Sequence, residues 1–188
     1  MSDADERRAA LLGQRGGVLW LTGLSGAGKS TLARGLERAL LGHGRLVTVL
    51  DGDVVREGLC ADLGFGPADR AENIRRLTEV SRLLADAGAL VVVAAISPYA
   101  ADRERARARV GAQRFALVHV ATALEVCRGR DPKGLYARAD RGELPGLTGV
   151  DAPYEVPADA DLVLDTATTS LEAAVEALTA EALRLARR

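Results

Sequence analysis

One short stretch of the sequence combines glycines, a lysine and hydroxyl side chains at a spacing that suits phosphate binding. Residues 23–31 read GLSGAGKST, which fits the pattern G-x-x-x-x-G-K-[ST]. Glycines let the backbone turn tightly and direct its N–H groups inward, and the start of a following helix adds positive potential. We therefore expect this loop to surround the phosphates of a nucleotide, with contacts from Gly23, Ser25, Gly26, Ala27, Gly28, Lys29, Ser30 and Thr31.

The polar side chains of this loop have distinct expected roles. Lys29 should reach the β- and γ-phosphates, the Ser30 hydroxyl should ligate Mg²⁺, and Thr31 can add a phosphate contact. An apolar run precedes the loop and a helical pattern follows it, which argues against a chance glycine-rich turn. The loop thus predicts binding of ATP or a related nucleotide, as in small-molecule kinases, GTPases and motor ATPases.

Two carboxylates follow the next apolar run. Residues 46–60 read LVTVLDGDVVREGLC, so Asp51 and Asp53 stand where ligands of an open α/β sheet bind. The third apolar run ends in AAISPY, with Ser97 where a Walker B acid would stand. We therefore expect one of the two aspartates to orient or deprotonate an acceptor hydroxyl and the other, Asp51, to hold Mg²⁺. The compatible alternative is that one of them, Asp53 in particular, caps the helix that follows.

Cationic and aromatic side chains after this acidic pair suggest an acceptor site. Arg56, Arg70 and Arg75 offer planar forks for an anionic acceptor, although arginines on a helix are often simply solvated. Phe65 lies between glycines in LGFG. Its ring could stack on a base or fill the core, and the sequence leaves both possibilities open.

Strand-like and helical patterns alternate along the chain and must position these residues. The alternation predicts an α/β fold of the P-loop NTPase type, a parallel five-stranded sheet with helices on both faces. The expected strands are residues 18–22, 45–50, 89–96, 115–120 and 161–166. Residues 130–157 contain many glycines and prolines and are expected to form a lid and acceptor-site segment. Residues 1–16 are expected to form an N-terminal tail of a single domain, 1–188.

Composition excludes several classes of function. The net charge of −1 and the aromatic content of 3% argue against a nucleic-acid-binding protein. No apolar run is long enough to span a bilayer, and the N-terminus lacks the apolar core of a signal peptide. The two cysteines lack metal-type spacing and fit a reducing compartment. We expect a cytoplasmic protein without nucleic-acid or membrane partners.

The motifs together resemble those of adenylylsulfate kinases (APS kinases) from about Gly17 to Thr166. The resemblance rests on GLSGAGKST, DGDVVREGLCADLGF, DRAENIRR, DAGALVVVAAISPY, DPKGLY and LTGVDAPYEVP. It implies transfer of the γ-phosphate of ATP to the 3′-hydroxyl of adenosine 5′-phosphosulfate, with Mg²⁺ as cofactor. It also implies small-molecule nucleotide substrates and a homodimer.

The resemblance also implies roles for individual residues. Catalysis would involve Lys29, Asp51, Asp53 and Ser97, and Ser30 and Asp51 would hold the metal. Arg130 would border the ATP base. The acceptor would be bound by Asp53, Arg56, Phe65, Arg70, Asn73, Ile96, Ser97, Lys133 and Leu147. A phosphoserine role has been assigned in the family to the serine that matches Ser97, whereas direct in-line transfer is physically simpler.

Some positions depart from the family pattern. Val54 replaces the asparagine of D-G-D-N, Leu147 replaces a phenylalanine of F-T-G-I-D, and Arg138 and Asp140 replace a lysine and an arginine of the lid. Besides an APS kinase, the sequence is therefore compatible with a paralogue that phosphorylates another nucleotide-like acceptor. A non-catalytic nucleotide-binding module is the third possibility, against which the intact Lys29 and Asp53 speak.

Overall fold

A five-stranded parallel sheet forms the centre of the protein. The computed structural model describes residues 3–187. Within them the strand order is β2-β3-β1-β4-β5, and every neighbouring pair is parallel. The strands are Gly17–Thr22 (β1), Val47–Asp51 (β2), Leu90–Ala94 (β3), Phe115–Val120 (β4) and Leu162–Leu164 (β5). The predicted α/β architecture is confirmed.

Helices cover both faces of this sheet. They are Asp3–Leu12 (α1), Lys29–Gly42 (α2), Gly52–Val55 (α3), Pro67–Asp86 (α4), Ala100–Val110 (α5), Leu124–Arg130 (α6), Leu135–Asp140 (α7) and Leu171–Arg187 (α8), with a 3₁₀ turn at Ala112–Arg114. None of the helices within residues 3–187 has the length and apolar character needed to cross a membrane.

Alternation along the central strand divides the core into two layers. Leu19 and Leu21 of β1 pack in the cluster formed with α2 and α8, whereas Val18 and Trp20 pack in the cluster formed with α4 and α5. Strand β1 is buried on both faces, as expected for a central strand of a parallel sheet. Burial of each large apolar side chain contributes about 1.5–3 kcal/mol, so these layers hold the strand ends rigidly.

The bounds of several strands differ from the prediction, most of all those of β3 and β5. Strand β3 was expected over residues 89–96 but ends at Ala94, and Ser97 beyond it has a φ of 46°. The expected fifth strand, residues 161–166, is paired only over Leu162–Leu164. At β3 the apolar residues Ala95 and Ile96 continue past the end of the strand, so the sequence pattern overestimates its length.

Three segments contain regular structure or burial that the sequence pattern did not indicate. The N-terminal tail contains α1, and the lid segment contains α7. Helix α5 carries many charged residues, a composition typical of an exposed helix, yet Asp102 and Arg103 are buried. The Arg103 guanidinium donates to the backbone oxygens of Ser97 and Glu155, each at 2.7 Å. These carbonyls compensate for burying its charge.

Candidate active site

A large cavity opens at the carboxyl end of the sheet. Its volume is about 1090 Å³, and the loops after β1, β2 and β3 line it together with parts of the segment from Arg130 to Thr148. Of the candidates named from the sequence, the lining includes Ser25, Gly26, Gly28, Lys29, Ser30, Thr31, Asp51, Asp53, Arg56, Phe65, Arg70, Asn73, Ile96, Ser97, Arg130, Lys133 and Leu147. The structure thus brings nearly all of them to one cavity, whereas Gly23, Ala27 and Arg75 are not part of its lining.

The phosphate-binding loop is shaped by its backbone. Gly23 and Gly26 have φ values of 151° and 75°, which side chains rarely allow. A Cβ atom at Gly23 would lie 2.5 Å from the backbone oxygen of Val120, and one at Gly26 would lie 2.9 Å from that of Cys127. Ala27 attaches the loop to the segments after β4 and β5, because its buried backbone oxygen accepts from the hydroxyls of Thr122 and Thr166.

Lys29 is buried at the start of α2 and contacts the loop itself. Its ammonium group donates to the backbone oxygens of Gly23 at 2.8 Å and Leu24 at 2.7 Å. Burial and, to a lesser extent, the positive charge of Lys133 lower the pKa of Lys29 to about 8, while Asp53 opposes the shift. A phosphate in the loop would offer this cation stronger acceptors than two neutral carbonyls.

The two aspartates have different local roles. The Asp51 carboxylate accepts from the backbone N–H of Asp53 at 3.0 Å and so caps α3. The prediction that Asp53 is the cap is wrong, because the helix begins at Gly52, two residues before the start at Val54 that a cap at Asp53 requires. The Asp53 carboxylate instead forms an ion pair with Lys133 of the lid segment. Substrate would have to compete with Lys133 for this carboxylate.

The oxygen atoms at this end of the cavity suit Mg²⁺. Residues 3–187 contain no cluster of three or more His, Cys, Asp and Glu side chains that could hold a metal ion by themselves. Mg²⁺ in nucleotide sites usually keeps several waters and takes only one or two protein ligands besides the phosphates. The Ser30 hydroxyl and the Asp51 carboxylate, which both line the cavity, fit that requirement.

An exposed aromatic ring marks the other end of the cavity. Phe65 is 68% exposed, so the possibility that it fills the core is excluded. The Arg56 guanidinium carbon lies 4.4 Å from the centre of the Phe65 ring. Arg70 donates to the backbone oxygens of Phe65 at 2.7 Å and Gly146 at 2.6 Å, and to the Thr148 hydroxyl. Arg70 therefore joins the loop before α4 to the segment that carries Leu147.

The remaining acceptor-side candidates differ in their surroundings. Asn73 is buried, and its Oδ1 has no hydrogen-bond partner among residues 3–187. Leu147 is also largely buried and packs against the core that includes α2. Arg75 forms an ion pair with Glu72 on the outer side of α4, so the solvated alternative is the correct one for this arginine.

The positions that depart from the family pattern are not all in the cavity. Val54 is exposed and lines it, as does Arg138. Asp140 does not line it and forms an ion pair with Arg128. Asp140 therefore does not add negative charge to the lining of the cavity.

Ser97 is held by a buried network that the sequence did not indicate. Its side chain is buried, and its hydroxyl accepts from the Trp20 indole N–H at 2.8 Å. The Thr22 hydroxyl donates to the backbone oxygen of Ile96 at 2.5 Å and lies 3.1 Å from the Tyr154 hydroxyl. The indole of Trp20 within β1 is the sole signal in the sequence, and nothing there identifies its partner.

Arg130 links the lid segment to the nucleotide loop. Its guanidinium donates to the Thr166 hydroxyl at 2.7 Å and to the Thr166 backbone oxygen at 2.9 Å. It also donates to the backbone oxygen of Gly26 at 3.3 Å. The lid segment is thus attached at its start to both the phosphate loop and the loop after β5. Thr166 lines the cavity as well and was not a sequence candidate.

Comparison with known proteins gives consistent results. A family model described as adenylylsulphate kinase matches residues 15–165. An adenylyl-sulfate kinase of Shewanella amazonensis is 55% identical over 171 residues, which cover 91% of this chain and 86% of the relative. The solved Mycobacterium tuberculosis APS kinase in complex with AMPPNP and APS is 49% identical with a TM-score of 0.85, covering 90% of this chain and 98% of that chain.

Other solved structures extend the comparison. A hexameric APS kinase from Thiobacillus denitrificans is 35% identical with a TM-score of 0.66, covering 92% of this chain but 29% of that longer chain. A sugar kinase from Janibacter is 22% identical with a TM-score of 0.58 over 89% of this chain and 92% of that chain, which shows a shared fold alone.

Proposed function

The chain belongs to the adenylylsulfate kinase family, and we propose that the cavity at the carboxyl end of its sheet is where the reaction of that family takes place. The protein is an ATP-dependent kinase that transfers the γ-phosphate to the 3′-hydroxyl of adenosine 5′-phosphosulfate, giving 3′-phosphoadenosine 5′-phosphosulfate and ADP. This reaction belongs to sulfate activation. The assignment of the site rests chiefly on one observation: Lys29 and Asp53 line the same cavity as the exposed Phe65 ring.

The donor would bind at the phosphate loop. The inward-facing backbone of residues 23–31 and the N-terminus of α2 would hold the phosphates, and Lys29 would exchange its two carbonyl contacts for β- and γ-phosphate oxygens. Ser30 and Asp51 would hold Mg²⁺, which neutralises charge on the transferred phosphoryl group. Arg130, whose guanidinium contacts Thr166 beside the loop, would border the base of ATP.

The acceptor would bind between Phe65 and Leu147. Asp53 would orient the 3′-hydroxyl and accept its proton, once Lys133 has released the carboxylate. The buried and unpaired Oδ1 of Asn73 supports a contact with a donor group of the acceptor, since an isolated buried acceptor atom is costly. Arg56 and Arg70 would add positive charge for the phosphosulfate, and Ile96 and Ser97 would line the side of the site.

We further propose that the protein is a cytoplasmic homodimer that binds neither nucleic acid nor membrane. Assembly is supported by the existence of an oligomeric relative, the hexameric APS kinase of Thiobacillus denitrificans. Light scattering of the purified full-length chain across a range of concentrations tests the dimer. A constant monomer mass over that range, in the presence of substrates, would contradict it.

A coupled assay of ADP release tests the function. We expect turnover with Mg²⁺, ATP and micromolar adenosine 5′-phosphosulfate, and formation of the 3′-phosphorylated product. The alternative, a paralogue with another acceptor, is favoured by Leu147 and Val54, which line the cavity at positions where the family has other residues. Turnover with another nucleotide-like acceptor but none with adenosine 5′-phosphosulfate would establish that alternative. Absence of turnover with every acceptor, together with normal ATP binding, would favour a non-catalytic module.

A further inference from the structure

From the contacts around Phe65, we infer that Arg56 acts on the acceptor chiefly through this ring. Arg56 covers one face of Phe65 and fixes its loop, so that the other face is held ready for the acceptor's base. This makes Arg56 a positioning residue that determines base specificity, beyond any contact with the phosphosulfate. The inference rests on the proposed function and deepens it.

The loop that carries Phe65 has few contacts that would fix the ring, apart from those with Arg56 and Arg70. Phe65 lies between Gly64 and Gly66, its side chain is 68% exposed, and both glycines are exposed as well. A ring in such a loop would normally sample several positions. The entropy lost when the acceptor ordered the ring would then weaken binding of the acceptor. Among residues 3–187, Phe65 belongs to neither core cluster, so packing in the core does not fix the ring.

Two arginines supply the missing order. The Arg56 Nη1 atom donates to the backbone oxygens of Leu63 at 3.2 Å and Gly64 at 2.9 Å. Arg70 donates through Nε to the backbone oxygen of Phe65 at 2.7 Å. Three consecutive carbonyls of the loop are therefore held by charge-assisted hydrogen bonds, from one arginine after α3 and another in α4.

Arg56 also determines which face of the ring is available. Its guanidinium carbon lies 4.4 Å from the ring centre, within the range of a cation–π contact. A base can therefore stack only on the opposite face, giving the order guanidinium, phenyl ring, base. Leu147, which also lines the cavity, offers apolar surface but no aromatic ring. Stacking thus depends on Phe65, and through it on Arg56.

The planar shape of arginine is essential to this role. A guanidinium can lie flat against a ring while its N–H groups reach two carbonyls, whereas the ammonium of lysine is a compact point charge. Arg56→Lys therefore keeps the charge for an anion but removes the support of Phe65. A residue that served only as an anion contact would tolerate this change far better.

A double-mutant cycle in the full-length enzyme tests the inference. Arg56→Lys, Phe65→Leu and the double variant are assayed at saturating Mg²⁺–ATP with varied adenosine 5′-phosphosulfate. We expect each single variant to raise KM for the acceptor about 5- to 50-fold, the range of lost base stacking. We expect the double variant to be no worse than Phe65→Leu alone, because both changes remove the same contact. A KM increase equal to the product of the two single effects would overturn the inference.

Base discrimination gives a second readout that a merely structural role would not change. The ratio of kcat/KM for adenosine 5′-phosphosulfate to that for its cytidine analogue should fall in Arg56→Lys as it does in Phe65→Leu. A uniform rise of KM for both acceptors, with an unchanged ratio, would mean that Arg56 only contacts the anion and would also overturn the inference.

A matched control separates these effects from loss of surface charge. Arg75→Ala removes a cation whose partner is Glu72 and which does not line the cavity. We expect its KM and base ratio to equal those of the wild type. The proposed function fails if the wild type does not turn over adenosine 5′-phosphosulfate. If the wild type turns over this acceptor, but the KM increase of the double variant equals the product of the two single effects, only the role of Arg56 is refuted.

Discussion

The two ends of the cavity are built in different ways. The donor end is formed by the backbone of residues 23–31, with positive-φ glycines and a lysine that is only 9% exposed. The acceptor end is formed by side chains on loops, with Phe65 largely exposed and supported by Arg56 and Arg70. The donor end is therefore ordered without a ligand, whereas the acceptor end depends on a few contacts between arginines and carbonyls.

This difference predicts which kinetic parameter each substitution affects. Changes at the donor end, and at the aspartates between the two ends, should lower kcat or ATP affinity. Changes at the acceptor end should mainly raise the acceptor KM and alter base preference. An acceptor-end substitution that lowered kcat without affecting the acceptor KM would contradict this division of roles between the two ends.

The largest effect is expected for Asp53→Asn, where the two ends meet. The amide keeps the shape of the side chain but cannot accept the proton of the 3′-hydroxyl, so kcat should fall by about 10²- to 10⁴-fold. ATP affinity, measured by calorimetry, should change little. Lys133→Gln is the matched control, because it removes the same ion pair but leaves the carboxylate, and its loss of kcat should be much smaller. A kcat within tenfold of the wild type for Asp53→Asn would refute the role of Asp53.

Lys29→Met should have the next largest effect and tests the donor end alone. Loss of this cation removes a group that stabilises negative charge on the phosphates. We therefore expect kcat to fall by about 10²- to 10³-fold. The folded protein should not become less stable, because a desolvated lysine is replaced by an apolar chain of similar length. Thermal unfolding, kcat and the acceptor Kd provide the measurements. A weakened acceptor Kd with unchanged kcat would contradict the division between the two ends.

The same contrast explains what the sequence could predict. The donor end follows from the spacing of glycines and Lys29 within nine consecutive residues, since the local backbone largely determines it. Phe65 and its arginines were recognised as candidates, but exposure of the ring and the position of Arg56 over it depend on tertiary packing. The cap of α3 was assigned to Asp53 instead of Asp51 because a helix boundary cannot be located to one residue from sequence.

Long-range contacts were the least predictable part of the site. Trp20 and Ser97 are 77 residues apart and meet only because β1 and β3 are neighbours in the sheet. Charged residues surround Arg103 in sequence, a pattern that favours exposure to solvent, yet its guanidinium reaches the Ser97 carbonyl. Such contacts follow from the strand order, which the alternation of strands and helices does not specify.

A smaller effect is expected from pH, again at the donor end. The pKa of Lys29 in the ligand-free protein is lowered to about 8, so the cation is lost as the pH rises through that value. Bound phosphate favours the charged form, so the loss should appear in kcat/KM for ATP and not in kcat. We expect kcat/KM for ATP to fall about tenfold for each pH unit above the pKa. Lys29→Met should lack this dependence, and a flat wild-type profile up to pH about 10 would contradict the prediction.

The smallest kinetic effect is expected at Ser97, and it tests whether the two ends exchange phosphate directly. The Ser97 hydroxyl is buried and accepts from the Trp20 indole. Ser97→Ala leaves that N–H unpaired, so the free energy of unfolding should fall by about 1–3 kcal/mol. Ser97→Gly should be the less destabilised of the two, because glycine suits the φ of 46° at this position.

Both Ser97 variants should keep kcat within about threefold of the wild type, since direct in-line transfer needs no serine nucleophile. Intact-mass measurement of the wild type after incubation with Mg²⁺–ATP should find no phosphorylated protein. A kinetically competent phosphoserine, together with loss of activity in both folded variants, would refute direct transfer. The hydroxyl could then act only after leaving the indole, whereas Asp53 already lines the space between the donor and acceptor ends.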